Sequence, residues 1–390
     1  MARRLLLRFP LVAAIALAGW TFGSAAGRAD LPSRLTDQEF WRLTEELSEP
    51  NGSFRSDNLL SNELVFARVV PELVTKTKPG GVYVGVGPEQ NFTYMAVMRP
   101  KAAIIIDIRR GNLLLQLMYK ALFELAADRA DFVSLLFTKP RPPSLTTESS
   151  AQDLMNAYWD ARTSEPPVYR RNLEAIFHVL VTRHGLPLSS EDLSGIEYVY
   201  HSFYWFGPSI TWSSSAGGQS GGRATYADLM MQTDPAGREL SYLSSEEKFK
   251  ILKDLQARNL VVPVVGNFGG PKAIRAVGAW LKQRSATVTA FYVSNVEQYL
   301  RQDGLSQAFC GNVAALPLDD ESVFIRPNPS LGLFSLRRQP VTVTVDGRAT
   351  MPRGGPVMVY GGPGSSAPVS SIAAEVKACA PGGRPAPAPR

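Results

Sequence analysis

The feature that most restricts the fold is the block from Gly81 to Phe137. Val82-Tyr83-Val84 is a short β-prone run that ends in Gly85-Val86-Gly87. A second run, Ala103-Ile104-Ile105-Ile106, ends in Asp107, 22 residues after Gly85. A helix follows, because Leu113, Leu114, Leu117, Met118, Ala121, Leu122 and Leu125 recur on one face with the helical period. Asn112 is placed to cap it. Both strands are continuously apolar rather than alternating, which calls for a parallel sheet covered on both faces. Strand, glycine turn, helix, strand and acid, in that order, form the front edge of a nucleotide-binding α/β unit. Glycines let backbone approach a ligand, and the acid can accept hydrogen bonds from ribose hydroxyls. Gln90 stands where the third glycine of a dinucleotide fingerprint would fall. The competing reading is that Gly85 and Gly87 only turn the chain and Asp107 only caps a helix.

A second block repeats the pattern. Leu260–Val265 reads as a strand, Gly266-Asn267-Phe268-Gly269-Gly270-Pro271-Lys272 as a turn, and Ala273–Gln283 as a helix. Thr287–Val293 is another strand, ending at Ser294-Asn295. The carboxyl ends of these strands would bring Gly85, Gly87, Asp107, Asn267 and Asn295 to one edge, where open α/β sheets bind ligands. The expected fold class is therefore α/β, a doubly wound, mostly parallel sheet with helices on both faces. One large domain over residues 30–336 would carry it, with a helical insertion at about 139–243. Val341–Val345 followed by Asp346-Gly347 reads as half of a β-hairpin, and a Pro/Gly/Ala-rich tail completes 337–390.

Gly85-Val86-Gly87-Pro88-Glu89-Gln90-Asn91-Phe92-Thr93-Tyr94 and Ile104-Ile105-Ile106-Asp107-Ile108-Arg109-Arg110-Gly111-Asn112 resemble an uncharacterised bacterial family with an S-adenosylmethionine-dependent methyltransferase-like fold. Tyr242–Phe249 and the stretch from Asn259 to Ala273 are similar to that family too, so the likeness runs in blocks between Phe40 and Pro327. The resemblance implies S-adenosylmethionine as cofactor, with Gly85 and Gly87 against its methionine part and Asp107 on its ribose. Glu89, Asn91 and Asn267 complete the implied cofactor-binding set, and Tyr94, Asn267 or Tyr226 would face a substrate. Three positions depart from methyltransferases at large. Tyr83 replaces the usual acid two places before the first glycine, Glu89 replaces the third glycine, and Gly266-Asn267-Phe268 stands where an Asn-Pro-Pro-Tyr element is usual. The family brings a fold and a cofactor but no reaction, and no catalytic residue is identified.

Arg3, Arg4 and Arg8 precede the apolar run Leu11–Trp20, and Gly23-Ser24-Ala25-Ala26 follows, which is the layout of a secretory signal cleaved after Ala26 or Ala29. An uncleaved anchor holding the protein at the membrane is the alternative; either one exports the body, into the periplasm. Apart from this segment no membrane span is expected. The net charge of +6 comes from the ends. The core between them is net acidic, which gives no support to nucleic-acid binding.

Cys310 and Cys379 are the only cysteines and could pair, and with His178, His184 and His201 they make no metal-ligand spacing. Gly218-Gln219-Ser220-Gly221-Gly222 fits a hydrolase pattern but lies in a serine/glycine run rather than a strand–turn–helix elbow. Gly266–Lys272, before a helix, could cradle an anion through backbone N–H groups. The aromatic run Tyr198, Tyr200, Phe203, Tyr204, Trp205, Phe206 and Trp212 reads as core before pocket lining. The expectation is an exported protein of unknown activity on a methyltransferase-like scaffold, binding S-adenosylmethionine or a related nucleoside. Its rival is a non-catalytic exported binding or structural protein whose cofactor site has degenerated, since S-adenosylmethionine is a cytoplasmic cofactor.

Overall fold

A computed structural model describes residues 30–63, 66–213, 223–234, 236–326, 344–345, 348–349 and 368–377. The apolar runs become parallel strands β1 (Val82–Val86), β2 (Ala102–Asp107), β3 (Val261–Val265), β4 (Val288–Tyr292) and β5 (Val323–Ile325). Every residue of β1, β2 and β3 is buried, as continuous apolar strands require. Thr344–Val345 (β6) pairs antiparallel with Arg348–Ala349 (β7), the hairpin read from the sequence. Val369–Ser371 (β8), inside the segment read as tail, adds to β5 as an antiparallel strand.

The main sheet has the order β3-β2-β1-β4-β5-β8. The chain steps outward from β1 to β3, then returns to β4 on the other side of β1, so the order reverses between β1 and β4. Pro263 sits in β3 without breaking the ladder, because β3 is an edge strand and its outer side needs no proline N–H. The long excursion between β2 and β3 holds the helical insertion: Ala151–Asp160, Pro166–Phe177 running into a π-helical turn at His178–Arg183, Ser190–Phe206 and Tyr226–Met230. Helix Arg110–Leu125 packs on β2 and β3 and carries helices Ser190–Phe206 and Glu246–Ala257 on its other side. It starts two residues before Asn112, which therefore lies inside the helix and does not cap it. Helix Asp37–Leu47, held by the Thr36/Glu39 capping box, lies beside β3 and helix Ala273–Lys282.

A buried ionic node ties these layers together. His184 Nδ1 is 2.6 Å from Asp37 Oδ1, and its Nε2 is 2.8 Å from Glu124 Oε2. Lys120 donates to Glu124 Oε1 (2.8 Å) and to the Gln256 carbonyl (2.6 Å), while Asn259 Nδ2 donates to Asp37 Oδ1 (2.8 Å). Burial lowers the Lys120 pKa. Burial alone would raise Glu124, but its bonds to His184 and Lys120 outweigh that and hold it low. His184 thus has a structural role, joining Asp37 to Glu124. Cys310 is disulfide-bonded, and Cys379, the chain's other cysteine, lies outside the described residues, as do the N-terminal signal and the serine/glycine run 214–222. Among the described residues no helix is long and apolar enough to cross a membrane.

The Glu124 hydrogen bond raises the His184 pKa. A base whose folded pKa is raised adds stability that is full below its unfolded value and is lost as pH climbs through the folded one. A histidine NMR titration should therefore place the His184 midpoint above the free-imidazole value of about 6.5, and His184→Gln should flatten the loss of stability above it. A midpoint at or below the free value would contradict the ion-paired node.

Candidate functional site

The carboxyl ends of β1, β2, β3 and β4 face one way, so Gly85–Gly87, Asp107, Asn267 and Asn295 do share an edge. Each is already engaged by the chain itself, apart from Asn295, whose side chain makes no capping bond to the helix it precedes. At the glycine turn, Tyr83 Oη donates to Asn91 Oδ1 (2.9 Å). Asn91 Nδ2 donates to the carbonyls of Val86 (3.0 Å), Gly87 (3.2 Å) and Pro88 (2.6 Å), and Gln116 Nε2 reaches the Gly87 carbonyl at 3.0 Å. A methyl group built on Gly85 would lie 1.9 Å from Asn91 Oδ1 and 2.7 Å from the Tyr83 ring. Gly85 is thus glycine to admit internal side chains. Gly87 has open space about it and a φ of +74°, so its requirement is for backbone conformation.

Asp107 Oδ1 accepts from the Arg109 backbone N–H (2.9 Å), and the Arg109 guanidinium stands 3.2 Å away. Burial raises the Asp107 pKa against that pairing. The carboxylate that the resemblance assigned to ribose is paired with a cation from the same motif. Arg109 also donates to the Asp57 carbonyl. Arg110 grips Asp192 with two bonds (2.5 and 2.8 Å), and its backbone N–H donates to Asn51 Oδ1 (2.7 Å).

The turn after β3 does cradle an anion, and the anion is Glu49. Its carboxylate accepts from the backbone N–H groups of Asn267 (3.1 Å), Lys272 (2.8 Å) and Ala273 (2.8 Å) at the start of helix Ala273–Lys282. Lys272 Nζ adds a bond to the Ser48 carbonyl (2.6 Å), and Asn267 Oδ1 accepts from Gly269 N–H (2.9 Å). A Cβ on Gly270 would come within 2.4 Å of Glu49.

Residues 48–63 therefore form a strap along the whole edge. Glu49 N–H bonds the last carbonyl of β3 (2.7 Å), Gly52 N–H bonds Ile108 past the end of β2 (2.9 Å), and Leu59 N–H bonds Trp212 (2.9 Å). Tyr198, from the insertion, donates to Asp57 Oδ2 (3.0 Å). At the reversal between β1 and β4 the strap meets two buried acids. Both Glu89 oxygens accept from Ser61 N–H (3.1 and 3.2 Å), and Glu63 accepts from Ser294 Oγ beyond β4. Burial pushes Glu89 up to about 8 and Glu63 up to about 7, and the Glu63 charge adds to the rise at Glu89. Buried tyrosines surround them: Tyr94 stacks edge-on to Tyr292 (5.1 Å between rings), and Tyr226 hydrogen-bonds Tyr242 (2.5 Å). Neither Tyr94 nor Tyr226 reaches solvent. Asn112 Oδ1, Gln116 Oε1 and Tyr119 Oη are buried without a partner among the described residues.

Glu63 is the member of this site that motif reading misses. Its only local signal is the polar run Ser61-Asn62-Glu63 before an apolar helix. Among the described residues no group of three or more His, Cys, Asp and Glu could hold a metal ion. The aromatic run divides: Tyr200 and Phe203 are core, whereas Tyr198 and Trp205 are exposed.

The sequence profile of a domain of unknown function, DUF7790, matches residues 59–180 and 222–342, more than half of the chain. The chain belongs to this family. Its two matched blocks carry the glycine turn, Asp107, the Asn267 turn and β1 to β5, and omit helix Ser190–Phe206 between them. No curated protein matches the sequence.

The two glycines separate the possible roles of the turn. Gly85→Ala should cost about 3 kcal/mol, because the methyl displaces a buried hydrogen-bonded amide. Gly87→Ala should cost about 1 kcal/mol of backbone strain. Denaturant midpoints in the reverse order would contradict the packing account. The acids make a separate prediction. A carboxyl whose folded pKa is raised contributes stability that is full below the ordinary glutamate range and lost as pH rises through the folded value. Here the loss should run through about 7 and about 8. The double variant Glu63→Gln, Glu89→Gln should therefore melt near the native temperature at about pH 5 and above it at about pH 8.5. Parallel pH profiles would remove these acids as the cause.

Proposed function

We propose that this is an exported protein that keeps a methyltransferase-like scaffold and has turned the cofactor positions over to its own fold, serving as a non-catalytic binding protein. The scaffold reading is supported by the strand order, whose β3-β2-β1-β4-β5 run is that of doubly wound sheets. Right-handed crossovers would then put helices Gln90–Met98 and Arg110–Leu125 on one face and Ala273–Lys282 on the other. Export is supported by the arginine-led N-terminal segment and by the disulfide at Cys310, a bond at home in oxidising compartments.

The observation that carries the proposal is the strap. Glu89, Asn91, Asp107 and Asn267, four of the residues assigned to S-adenosylmethionine, bond to Ser61, to Tyr83 and backbone carbonyls, to Arg109 and to Gly269 instead, and the Asn91 and Tyr83 side chains crowd Gly85. Glu49 fills the anion cradle. A second reading, in which the strap yields to S-adenosylmethionine, is favoured by the unpartnered Asn112, Gln116 and Tyr119 atoms close behind the glycine turn.

Thermal unfolding with millimolar S-adenosylmethionine, S-adenosylhomocysteine and NAD separates the two. The proposal expects an unchanged melting temperature with all three. A ligand at 100 times its dissociation constant adds about 2.7 kcal/mol, a rise of about 5 °C or more. Such a rise with the first two ligands alone would overturn the proposal and leave the second reading standing.

A further inference from the structure

The amino edge of the sheet, opposite the strap, holds a cavity of about 680 Å³. That volume lies within the range of small-molecule sites, far above what an inorganic ion fills. Four bases line it, Lys78, Lys101, Arg258 and Arg284, with three acids, Asp30, Asp319 and Glu321. Each base precedes or follows a strand start, so the sheet itself brings them together.

Most of the acidic charge is already engaged. Glu321 pairs with Lys78 at 2.5 Å. Asp319 Oδ1 accepts from Glu321 N–H and Ser322 Oγ, each at 3.0 Å. Asp30 remains, exposed, at the beginning of the described chain.

The other three bases are under-used. Lys101 is exposed, and its side chain makes no hydrogen bond or ion pair among the described residues, its backbone N–H alone donating to the Gly81 carbonyl (2.9 Å). Arg284 lies over the Trp280 ring at 4.4 Å and donates to the Trp280 carbonyl (3.0 Å), without a carboxylate at ion-pair distance among the described residues. Its charged neighbours are Arg42 and Glu39. Arg258 donates to the Ser33 carbonyl (3.0 Å) and pairs with Asp254, yet its Nε is buried and unpartnered among the described residues. A guanidinium laid flat on an indole is fixed in orientation, with its remaining N–H groups free for a planar or tetrahedral oxyanion. Between these bases the lining includes the hydroxyls of Ser33, Ser285 and Thr287, with Leu31, Pro79 and Ala286 beside them.

We infer that this groove binds a small hydroxyl-rich organic anion, a sugar carrying a carboxylate or a phosphate. Arg284 and Lys101 receive the oxyanion, and the remainder of the groove, with Ser33, Ser285 and Thr287, receives the sugar ring. This site stands apart from the cofactor question, because Gly85, Asp107 and Asn267 lie at the opposite edge.

Isothermal titration of the full chain with glucuronate, glucose 6-phosphate, glucose and inorganic phosphate tests it. Glucuronate or glucose 6-phosphate should bind and glucose should not; which of the two binds tells carboxylate from phosphate. Lys101→Ala and Arg284→Ala should each weaken that binding about tenfold or more. Because Arg284 packs on Trp280, Lys101→Ala is the decisive variant, its side chain having no hydrogen-bond or ion-pair partner to lose among the described residues. Binding of glucose as tight as that of the charged sugars, binding of inorganic phosphate alone, absence of binding at millimolar ligand, or unchanged affinity in Lys101→Ala would each overturn the inference.

Discussion

The carboxylate of Glu49, seated on three backbone N–H groups before helix Ala273–Lys282, is the contact on which the rest of the carboxyl edge depends. An α/β sheet without a ligand leaves N–H groups at helix starts and carbonyls at strand ends that must find partners. In many such folds water or a cofactor supplies them. Here one segment of sixteen residues does so, and anchoring its first turn at β3 commits the following residues to run past β2 and β1 to β4. Arg109 and Arg110, which belong to the stretch that carries the family resemblance, hold that segment and the helical insertion in place.

The three buried acids of the edge solve one problem in two ways. A carboxylate removed from water needs a cation or a proton. Asp107 has the cation, Arg109. Glu63 and Glu89 have only hydroxyl and N–H donors with tyrosine rings around them, so burial shifts them toward the proton. The crevice where the strand order reverses is therefore polar in composition, with two of its acids shifted toward the protonated form and bonded to the chain itself.

The parallel strands were legible because their signal is local: an unbroken apolar run such as Ala103–Ile106 can be satisfied in few ways. Once they are parallel, the meeting of Gly85, Asp107 and Asn267 at one edge follows from geometry. The anion cradle at Gly266–Lys272 was legible for the same reason, but not its occupant. Glu49 and Asn267 are 218 positions apart, and nothing periodic in Ser48–Asn58 announces the pairing. Asn112 misleads because local capping preference competes with a tertiary partner: Asn51 takes the Arg110 N–H, and the helix starts earlier. Lys101, Arg258 and Arg284 are equally silent, since each is an ordinary loop cation until the sheet sets them around one cavity.

The edge strand β8 has a consequence for how the chain reaches this state. Val369–Ser371 completes the sheet from near the C-terminus, while the strap near the N-terminus closes on β3 and β4 from more than two hundred residues away. The β3 side of the sheet is closed by residues from the N-terminal part and the β5 side by residues from the C-terminal part. Folding is thereby tied to contacts of very long sequence separation, which delays it relative to a chain built from neighbours. A polypeptide that leaves the ribosome N-terminus first would stay open, with β5 unpaired on its outer side, until almost its whole length had emerged.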